Sequence, residues 1–502
     1  MPTKRACLVI NPKDGQNLAK LTAVLAVLAA AGWETDIALK EYGGHTMELA
    51  TEAAKKGYDV VIAYGGDGTL NQVVNGVMNG KSQKSMVGLI PGGTANVWAN
   101  EVGIPADPVK AALTLVSSED RRVDIGRVEV KSLTFLPVTQ GHEQHPGDTL
   151  FDEQGQVRKV KPSAKARHDF MLMAGLGIDA AVMSGVNKSL KERIGVAAVG
   201  LVAAEKLPEQ HTFPLELCIT EQGSSIKKNW QGNAIQVVIG NTRHYADVVE
   251  MTPDAYIDDG LLDVCVITAG EPLSTLGQIS SLLFRRKPDN QSSEFFRGAH
   301  ITLRAPASIN LQLDGSAVKL NDYLRKADRQ ELQHAQDKDH VVVTYEFDAL
   351  PRALDVAFPP TYNNTLFERT SDYITPLHAE QTTSTATHEE PAQQNGTNGS
   401  NEQQQSEQVA ALLEKGRKVT FVGMGTLSEK KHRYIVAGNT TKAATGEIKP
   451  VAVLIDKDTA LLKRTGETAS AADIQQLQDG AEIVVEGKKS KRGVIHATRA
   501  VL

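Results

Sequence analysis

Residues 59–80 read DVVIAYGGDGTLNQVVNGVMNG, and this stretch decides the fold. The apolar run Val60–Ala63 stops at Gly65-Gly66-Asp67-Gly68-Thr69, and an amphipathic segment begins at Leu70. This pattern predicts a buried strand, a glycine-rich turn and a helix start. The glycines allow positive φ angles and let a ligand approach the backbone, and free amides at a helix start suit phosphate. We expect Thr69 to cap that helix.

The carboxylate of Asp67 is unusual in a turn that would bind phosphate alone. It would repel phosphate unless a metal ion or a transferable proton lay between the two groups. The turn therefore favours phosphoryl transfer over simple nucleotide binding.

The bulk properties of the chain limit the classes of protein to consider. At 502 residues, we expect two to four domains, and the net charge of −6 gives no reason to expect nucleic-acid binding. The cysteines Cys7, Cys218 and Cys265 form no CxxC pair, which disfavours a disulfide scaffold or a zinc site. No signal-peptide core and no run of about 18 apolar residues occurs. We expect a cytoplasmic protein whose membrane contact is peripheral.

Residues 1–122 predict an α/β domain, because strand patterns alternate with helix patterns as in βαβ units of a parallel sheet. Ligands of such sheets lie beyond the carboxyl ends of the strands. Three turns follow strands here, at Asn11, at Gly65–Thr69 and at Pro91–Asn96, which reads PGGTAN. We expect all three on one rim of the sheet.

Residues 123–358 predict a second domain that is mainly antiparallel β, with an inserted hairpin or mobile loop over residues 131–167. Two more blocks with chemistry lie in this domain. One is PDAYIDDGLLD at residues 253–263, and the other is Leu313-Asp314-Gly315. Each could be an ordinary turn between strands.

The remainder of the chain predicts a linker and a small domain. Residues 359–408 are interpreted as a disordered linker, since residues 378–408 carry no aromatic or large aliphatic side chain. Residues 409–502 show five strand patterns and one short helix, which predicts a small OB-like β-barrel. The basic run Lys488–Arg492 is interpreted as a solvated hairpin tip. We expect the kinase part to fold without residues 378–502.

The four blocks, in this order, resemble the diacylglycerol kinase and sphingosine kinase superfamily, and especially its soluble bacterial lipid kinases. Asn11-Pro12, Gly15 and Gly44-His45 extend the resemblance, which covers residues 4–358 apart from the insert. It implies an α/β nucleotide domain and a β-sandwich domain with ATP and Mg²⁺ in the cleft between them. It also implies transfer of phosphate to a lipid hydroxyl.

The resemblance implies roles for individual residues. The ATP-binding positions would be Asn11, Gly15, Gly65, Gly66, Asp67, Gly68, Thr69, Gly92, Thr94 and Asn96. Asp314 would be the general base, and Asp67, its competitor for that role, would hold the catalytic Mg²⁺ through water. A structural Mg²⁺ would be bound by the Asp259 carboxylate with the backbone carbonyls of Tyr256 and Leu261. Two residues depart from the family pattern, since Ser316 replaces a usual Glu and Lys40 replaces a frequent Thr.

We interpret the chain as an ATP- and Mg²⁺-dependent lipid kinase, with diacylglycerol as the first expected acceptor and phosphatidic acid as the product. A positioned carboxylate can accept the proton of a lipid hydroxyl, and positioning and charge neutralisation supply the rest of the catalysis. Three alternatives stay open: a sphingoid-base kinase, an NAD kinase-like phosphotransferase and a non-catalytic lipid or nucleotide sensor. The expected partners are a lipid substrate and a membrane surface, a homodimer is left open, and nucleic acid is not expected.

Overall fold

The computed structural model describes residues 4–12, 17–80, 85–136, 155–161, 166–177, 212–220, 227–245, 249–268, 293–335, 338–368, 399–441, 445–490 and 494–502. The α-helices in these ranges are α1 Leu21–Ala30, α2 His45–Lys55, α3 Asp67–Asn79, α4 Val97–Val102, α5 Pro108–Val116, α6 Leu320–Tyr323, α7 Lys326–His334, α8 Gly399–Lys415 and α9 Ala471–Gln475. Short 3-10 helices cover Asn17–Lys20 and Lys338–His340.

The strands fall into three groups along the chain. The first domain contains β1 Arg5–Ile10, β2 Glu34–Leu39, β3 Val60–Gly65 and β4 Met86–Pro91. The second contains β5 Glu119–Phe135, β6 Gln156–Lys159, β7 Asp169–Phe170, β8 Met173–Gly177, β9 Phe213–Thr220, β10 Lys227–Gly240, β11 His244–Tyr245, β12 Val249–Glu250, β13 Leu262–Thr268, β14 Ser293–Gly298, β15 His300–Pro306, β16 Leu311–Leu313, β17 Ser316–Val318 and β18 Val341–Phe358. The third contains β19 Arg417–Ser428, β20 Arg433–Thr441, β21 Ile448–Ile455, β22 Ala460–Leu462, β23 Glu482–Lys489 and β24 Val494–Val501.

The first domain is the predicted parallel α/β sheet. Its strands follow the order β4-β3-β1-β2, and each neighbouring pair runs parallel. All six residues of β3 and all six of β4 are buried, as expected for strands covered by helices on both faces. The carboxyl ends of β1, β3 and β4 therefore lie on the same edge of the sheet.

The second domain is joined to the first through the sheet itself. Strand β18 pairs antiparallel with β5 over most of its length, and near its end Val356 pairs parallel with Val87 of β4. Among the described residues, one sheet of 16 strands thus extends through both domains. The predicted boundary between residues 122 and 123 falls inside β5, because this long strand belongs to both units.

The β-rich character of the second domain is confirmed. Strands β8, β9, β10, β13 and β15 pair antiparallel with their neighbours around a buried apolar core that is separate from the core of the first domain. The predicted insert begins as a hairpin, since β6 pairs with β5 between Ser132–Phe135 and Gln156–Lys159. The helices predicted over residues 189–207 and 273–283, and most of the insert, lie outside the described residues.

The predicted linker, residues 359–408, was placed too early. Tyr362, Leu366 and Phe367 are buried at 9%, 2% and 2% exposure, and they pack in the core of the first domain. Tyr362 and Phe367 lie against the ring of Phe358, at 5.3 Å between centroids in each case. At the other end, α8 begins at Gly399, within the predicted linker.

The third domain is the small barrel predicted from the sequence. Its five long strands form a closed circuit, β19-β20-β21-β24-β23, which returns to β19. Strands β21 and β24 pair parallel, and the other pairs are antiparallel. The short helix α9 lies between β21 and β23 in the chain, as predicted, and Ser470 caps it in a capping box with Asp473.

The barrel packs directly on the first domain through helices α1 and α5. Ile435, Ala437, Ala452 and Leu454 of the barrel belong to the same buried cluster as residues of α1. Strand β19 lies very close to α5, since a Cβ added at Gly425 would be 2.9 Å from the backbone oxygen of Leu113. An ion pair of 2.6 Å joins Lys110 Nζ to Asp479 Oδ2 at the edge of this interface.

Candidate active site

Two strand-to-helix turns meet at the carboxyl edge of the parallel sheet. The first runs from β3 into α3 at Gly65–Asp67, and the second runs from β4 towards α4 at Pro91–Asn96. The backbone amide of Gly92 donates to Gly65 O at 2.9 Å. A Cβ added at Gly93 would lie 2.5 Å from the Cα of Gly66, so only glycine fits at this contact. The sequence prediction that these two turns converge is confirmed by this contact.

The local geometry of the first turn differs from the prediction in two respects. Helix α3 already begins at Asp67, with Gly66 as its N-cap residue, so Thr69 lies inside the first turn and does not cap it. Gly66 has a φ of −89°, and neither Gly65 nor Gly68 is among the glycines with positive φ. Glycine is needed at Gly66 and Gly93 because the backbones of the two turns approach each other closely.

Asp67 connects the two turns through its carboxylate. It accepts hydrogen bonds from the backbone amides of Val97 at 3.0 Å and Trp98 at 3.2 Å. These are the first amides of α4, where a negative charge is stabilised by unpaired N–H groups. Asp67 therefore holds α4 against the first turn in this structure.

Asp314 lies in a two-residue turn between β16 and β17. Its φ is +47° and that of Gly315 is +70°, the combination that tight hairpins require. The side chain is 4% exposed. Its oxygens accept four hydrogen bonds of 2.9–3.1 Å, from Met171 N, Leu172 N, Met173 N and Asn71 Nδ2. Burial raises the pKa of this carboxyl, and the four donors act in the opposite direction.

Two asparagines of α3 join the domains at this site and were not selected from the sequence. Asn71 donates to Asp314 and to the backbone oxygen of Asp169, each at 2.9 Å. Asn75, four residues later, accepts from the backbone amides of His168 and Asp169 at 2.9 Å. Both side chains are almost fully buried. Two buried asparagines at i and i+4 on an otherwise apolar helix face were the signal in the sequence that could have identified them.

Asp259 lies away from the two turns, in the loop before β13. Its Oδ1 accepts from Leu261 N at 2.9 Å, whereas its buried Oδ2 has no hydrogen-bond partner in the described part of the chain. Arg297 Nη1 is 4.0 Å from this oxygen. Burial raises the pKa of Asp259 to about 7, and the nearby carboxylates of Asp263 and Asp124 add to the shift.

The buried Oδ2 of Asp259 accepts no hydrogen bond in the described ranges and therefore fits a bound cation. A buried carboxylate oxygen without a donor is costly, and a Mg²⁺ ion with carbonyl and water ligands would satisfy it. Across the described ranges, no group of three or more His, Cys, Asp or Glu side chains could hold a metal by side chains alone. The predicted ligand set differs from such a group, because it combines one carboxylate with the backbone carbonyls of Tyr256 and Leu261.

The other predicted positions are distributed around the same edge. Asn11 is 8% exposed and its amide donates to Tyr64 O at 3.4 Å, which places it at the end of β1. Asn96 forms two hydrogen bonds with Gly93, each of 2.9 Å, and closes the second turn. Gly92 and Thr94 lie in that turn, and Gly15 is outside the described residues. Ser316 faces the first turn, because a Cβ at Gly68 would be 2.8 Å from its Oγ.

Within the described residues, the structure has no helix that is both long and apolar enough to cross a membrane. The longest helix of the first domain, α3, has 13 residues.

Family comparisons identify the class of protein that this fold and site define. The diacylglycerol kinase catalytic domain matches residues 5–128. The YegS C-terminal NAD kinase beta sandwich-like domain matches residues 173–322. The chain is therefore a lipid kinase, with an α/β catalytic domain followed by a β-sandwich domain. In both domains the chain thus resembles diacylglycerol kinases, and a small barrel follows them.

Two curated proteins and one solved structure are similar to this chain. A diacylglycerol kinase of Staphylococcus saprophyticus is 27% identical over 315 residues, which are 62% of this chain and 88% of that protein. A diacylglycerol kinase of Staphylococcus aureus strain JH9 is 28% identical over 316 residues, which are 62% of this chain and 86% of that protein. A crystal structure of a diacylglycerol kinase from Bacillus anthracis has a TM-score of 0.48 and 17% identity, and covers 72% of this chain and 99% of that one.

Proposed function

We propose that the protein transfers the γ-phosphoryl group of ATP to the hydroxyl of diacylglycerol and forms phosphatidic acid. The observation that carries this proposal is the link between the two domains at the glycine-rich turn. Asn71 lies one helical turn after that turn and donates to Asp314 at 2.9 Å. A carboxylate of the second domain thus lies beside the helix N-terminus where the phosphates would bind.

In the proposed reaction, the lipid hydroxyl oxygen attacks the γ-phosphorus, and the bond between that phosphorus and the β-phosphate oxygen breaks. Asp314 would take the hydroxyl proton as general base after one of its four hydrogen-bond donors moves away, because a carboxylate has only about four acceptor positions. Its raised pKa suits this role, because a base with a pKa nearer to neutrality accepts a proton more readily. The backbone amides at the start of α3 and the close contact between Gly66 and Gly93 would position the phosphates.

Magnesium belongs to the same proposal. A bound Mg²⁺ would neutralise phosphate charge during the transfer. We assign the structural ion to Asp259 with the carbonyls of Tyr256 and Leu261. The assignment is supported by the buried Oδ2 of Asp259, which accepts no hydrogen bond from the part of the chain that the structure describes. Asp67 remains a candidate for holding the catalytic ion through water, although its carboxylate also binds the two amides of α4.

One alternative acceptor has a specific observation behind it. The family model that matches residues 173–322 describes an NAD kinase beta sandwich-like domain. NAD is therefore the competing acceptor to test, and sphingosine is the competing lipid. All three acceptors offer a hydroxyl to the same phosphoryl donor.

The deciding experiment supplies the purified chain with radiolabelled ATP, Mg²⁺ and one acceptor at a time in mixed micelles. We expect label in phosphatidic acid when diacylglycerol is present, and loss of that label when EDTA replaces Mg²⁺. Label in sphingosine phosphate alone would change the acceptor within the lipid kinase class. Label in NADP alone, or no label with any acceptor, would contradict the proposal.

A further inference from the structure

The side chain of Arg167 lies between the glycine-rich turn and the hairpin that carries Asp314. Its Nη1 donates to Asn71 Oδ1 of α3 at 3.2 Å. Its Nη2 donates to the backbone oxygen of Ala317 in β17 at 3.3 Å. Asn71 is one helical turn, about 5.4 Å along the axis, from the start of α3. Ala317 follows Ser316, which faces Gly68. The guanidinium therefore contacts both sides of the proposed cleft.

The backbone of Arg167 is fixed in position by both domains. The hydroxyl of Tyr323 donates to Arg167 O at 2.5 Å. The next amide, that of His168, donates to Asn75 Oδ1 of α3 at 2.9 Å. The placement of this arginine at the cleft is thus determined by its neighbours on the chain, while its side chain is only partly buried.

The partners of Arg167 differ from those of Arg127 and Arg158 in the same domain. Arg127 binds the carboxylate of Asp169 with two bonds of 2.7 and 3.0 Å, and Arg158 pairs with Asp328 at 2.6 Å. Arg167 makes two long bonds to neutral oxygens, and in the described ranges it has no carboxylate within ion-pair distance. A guanidinium has five N–H donors, so Arg167 keeps donors for a ligand.

We propose that Arg167 binds the phosphoryl group during its transfer and stabilises the negative charge on its equatorial oxygens. This inference rests on the proposed phosphoryl transfer at the same cleft. Arg167 keeps its proton throughout, since the hydroxyl proton goes to Asp314 and the leaving group is ADP. A planar guanidinium suits this role because it can donate two parallel N–H bonds to one phosphoryl group.

The test uses the full chain with Arg167→Ala and Arg167→Lys. The control is Arg122→Ala, which removes an arginine that pairs with Asp355 at 2.9 Å away from the cleft. We expect kcat of Arg167→Ala to fall at least about 100-fold, the loss typical of one transition-state donor, with a nearly unchanged affinity for ADP. Millimolar guanidinium chloride should restore part of this loss. Arg167→Lys should retain more activity than Arg167→Ala, because it keeps the charge.

A second measurement separates this inference from the lipid kinase assignment. Aluminium fluoride mimics the phosphoryl group in the transition state of its transfer. Its binding together with ADP and Mg²⁺ can be measured without a lipid acceptor. We expect aluminium fluoride to tighten ADP binding to the wild-type chain and to the control, but not to Arg167→Ala. Equal tightening in all three would overturn the role of Arg167. The expected difference, together with no labelling of any lipid, would keep Arg167 and overturn the acceptor.

Discussion

At the scale of single residues, the site depends on carboxylates that the backbone surrounds with N–H donors. Asp67 accepts two such bonds and Asp314 accepts three, plus one from Asn71. Each carboxylate thereby connects two segments that are distant in the chain. Both residues were selected for chemistry, and the structure adds that each also holds the site together.

Replacement of Asp314 by Asn tests its chemical role. One of its oxygens becomes an NH₂ group, so two of the four donors lose their acceptor, at about 1–3 kcal/mol for each buried donor. We expect turnover to fall to background and the melting temperature to drop, while the variant still binds ATP below that temperature. The measurements are the lipid kinase assay, calorimetric ATP titration and thermal unfolding.

Asp322→Asn is the control for this variant, because Asp322 is an exposed residue nearby on α6. It should leave the free energy of unfolding within about 0.5 kcal/mol of the wild type.

Burial raises the pKa of Asp314, so the fall of kcat at acidic pH should begin above the usual range of an aspartate. Full turnover in Asp314→Asn would assign the base to another group, with Asp67 the first candidate.

At the scale of elements, the two strand-to-helix turns act as one unit because their backbones touch. The sequence predicted where the turns lie, since each follows an apolar strand and precedes a helix pattern. It did not predict that Gly66 would pack against Gly93, because such a contact depends on how neighbouring strands align. The same limit explains the partners of Asn71 and Arg167, which are separated from them by many residues in the chain.

Gly93→Ala tests the contact between the turns. The added Cβ would lie 2.5 Å from Gly66 Cα and 2.9 Å from Asn96 Oδ1, so the backbone of one turn must move. We expect a loss of about 1–3 kcal/mol of unfolding free energy and at least about tenfold weaker ATP binding. Chemical denaturation and ATP titration would measure the two effects.

Gly43→Ala is a matched control, because it also lies just before a helix and its added Cβ would meet no atom within 4 Å. It should change neither quantity appreciably. If Gly93→Ala bound ATP as tightly as this control, the second turn would have no part in the nucleotide site.

At the scale of the whole molecule, the barrel packs on the first kinase domain. The sequence predicted the individual domains better than it predicted how they pack together. Local patterns identified the parallel sheet, the β-rich domain and the five-stranded barrel. They did not identify β18 as the strand that joins the first two domains, or the barrel as the partner of α1. Helix α1, LTAVLAVLAA, is apolar on nearly all sides. A helix of this kind is covered on both faces, and that was the available signal for a partner.

Removal of residues 399–502 tests the packing of the barrel. The expectation from the sequence was a kinase that folds without it. The structure instead leads us to expect a truncated chain that is less stable by roughly 3–6 kcal/mol, since several apolar side chains of α1 and α5 become exposed. Thermal unfolding and light scattering would show a lower melting temperature and self-association.

A matched full-length variant keeps the barrel and disturbs only the interface. Gly425→Val places a side chain against the backbone of Leu113, so it should lower the melting temperature in the same direction as the truncation. The truncated chain could instead stay monomeric and unfold at the same temperature as the full chain. That result would mean that packing of the barrel contributes no stability to the kinase domains.

The face of the barrel that lies on α1 includes β20 and β21, the second and third strands of the circuit. OB barrels commonly use this face to bind oligonucleotides or oligosaccharides. In this chain the first kinase domain already covers this face of the barrel. Because both domains belong to one chain, the kinase domain has a high effective concentration at this face. Any other molecule that binds there must first displace the kinase domain. Its apparent affinity is therefore its intrinsic affinity multiplied by the fraction of molecules in which the two domains are apart.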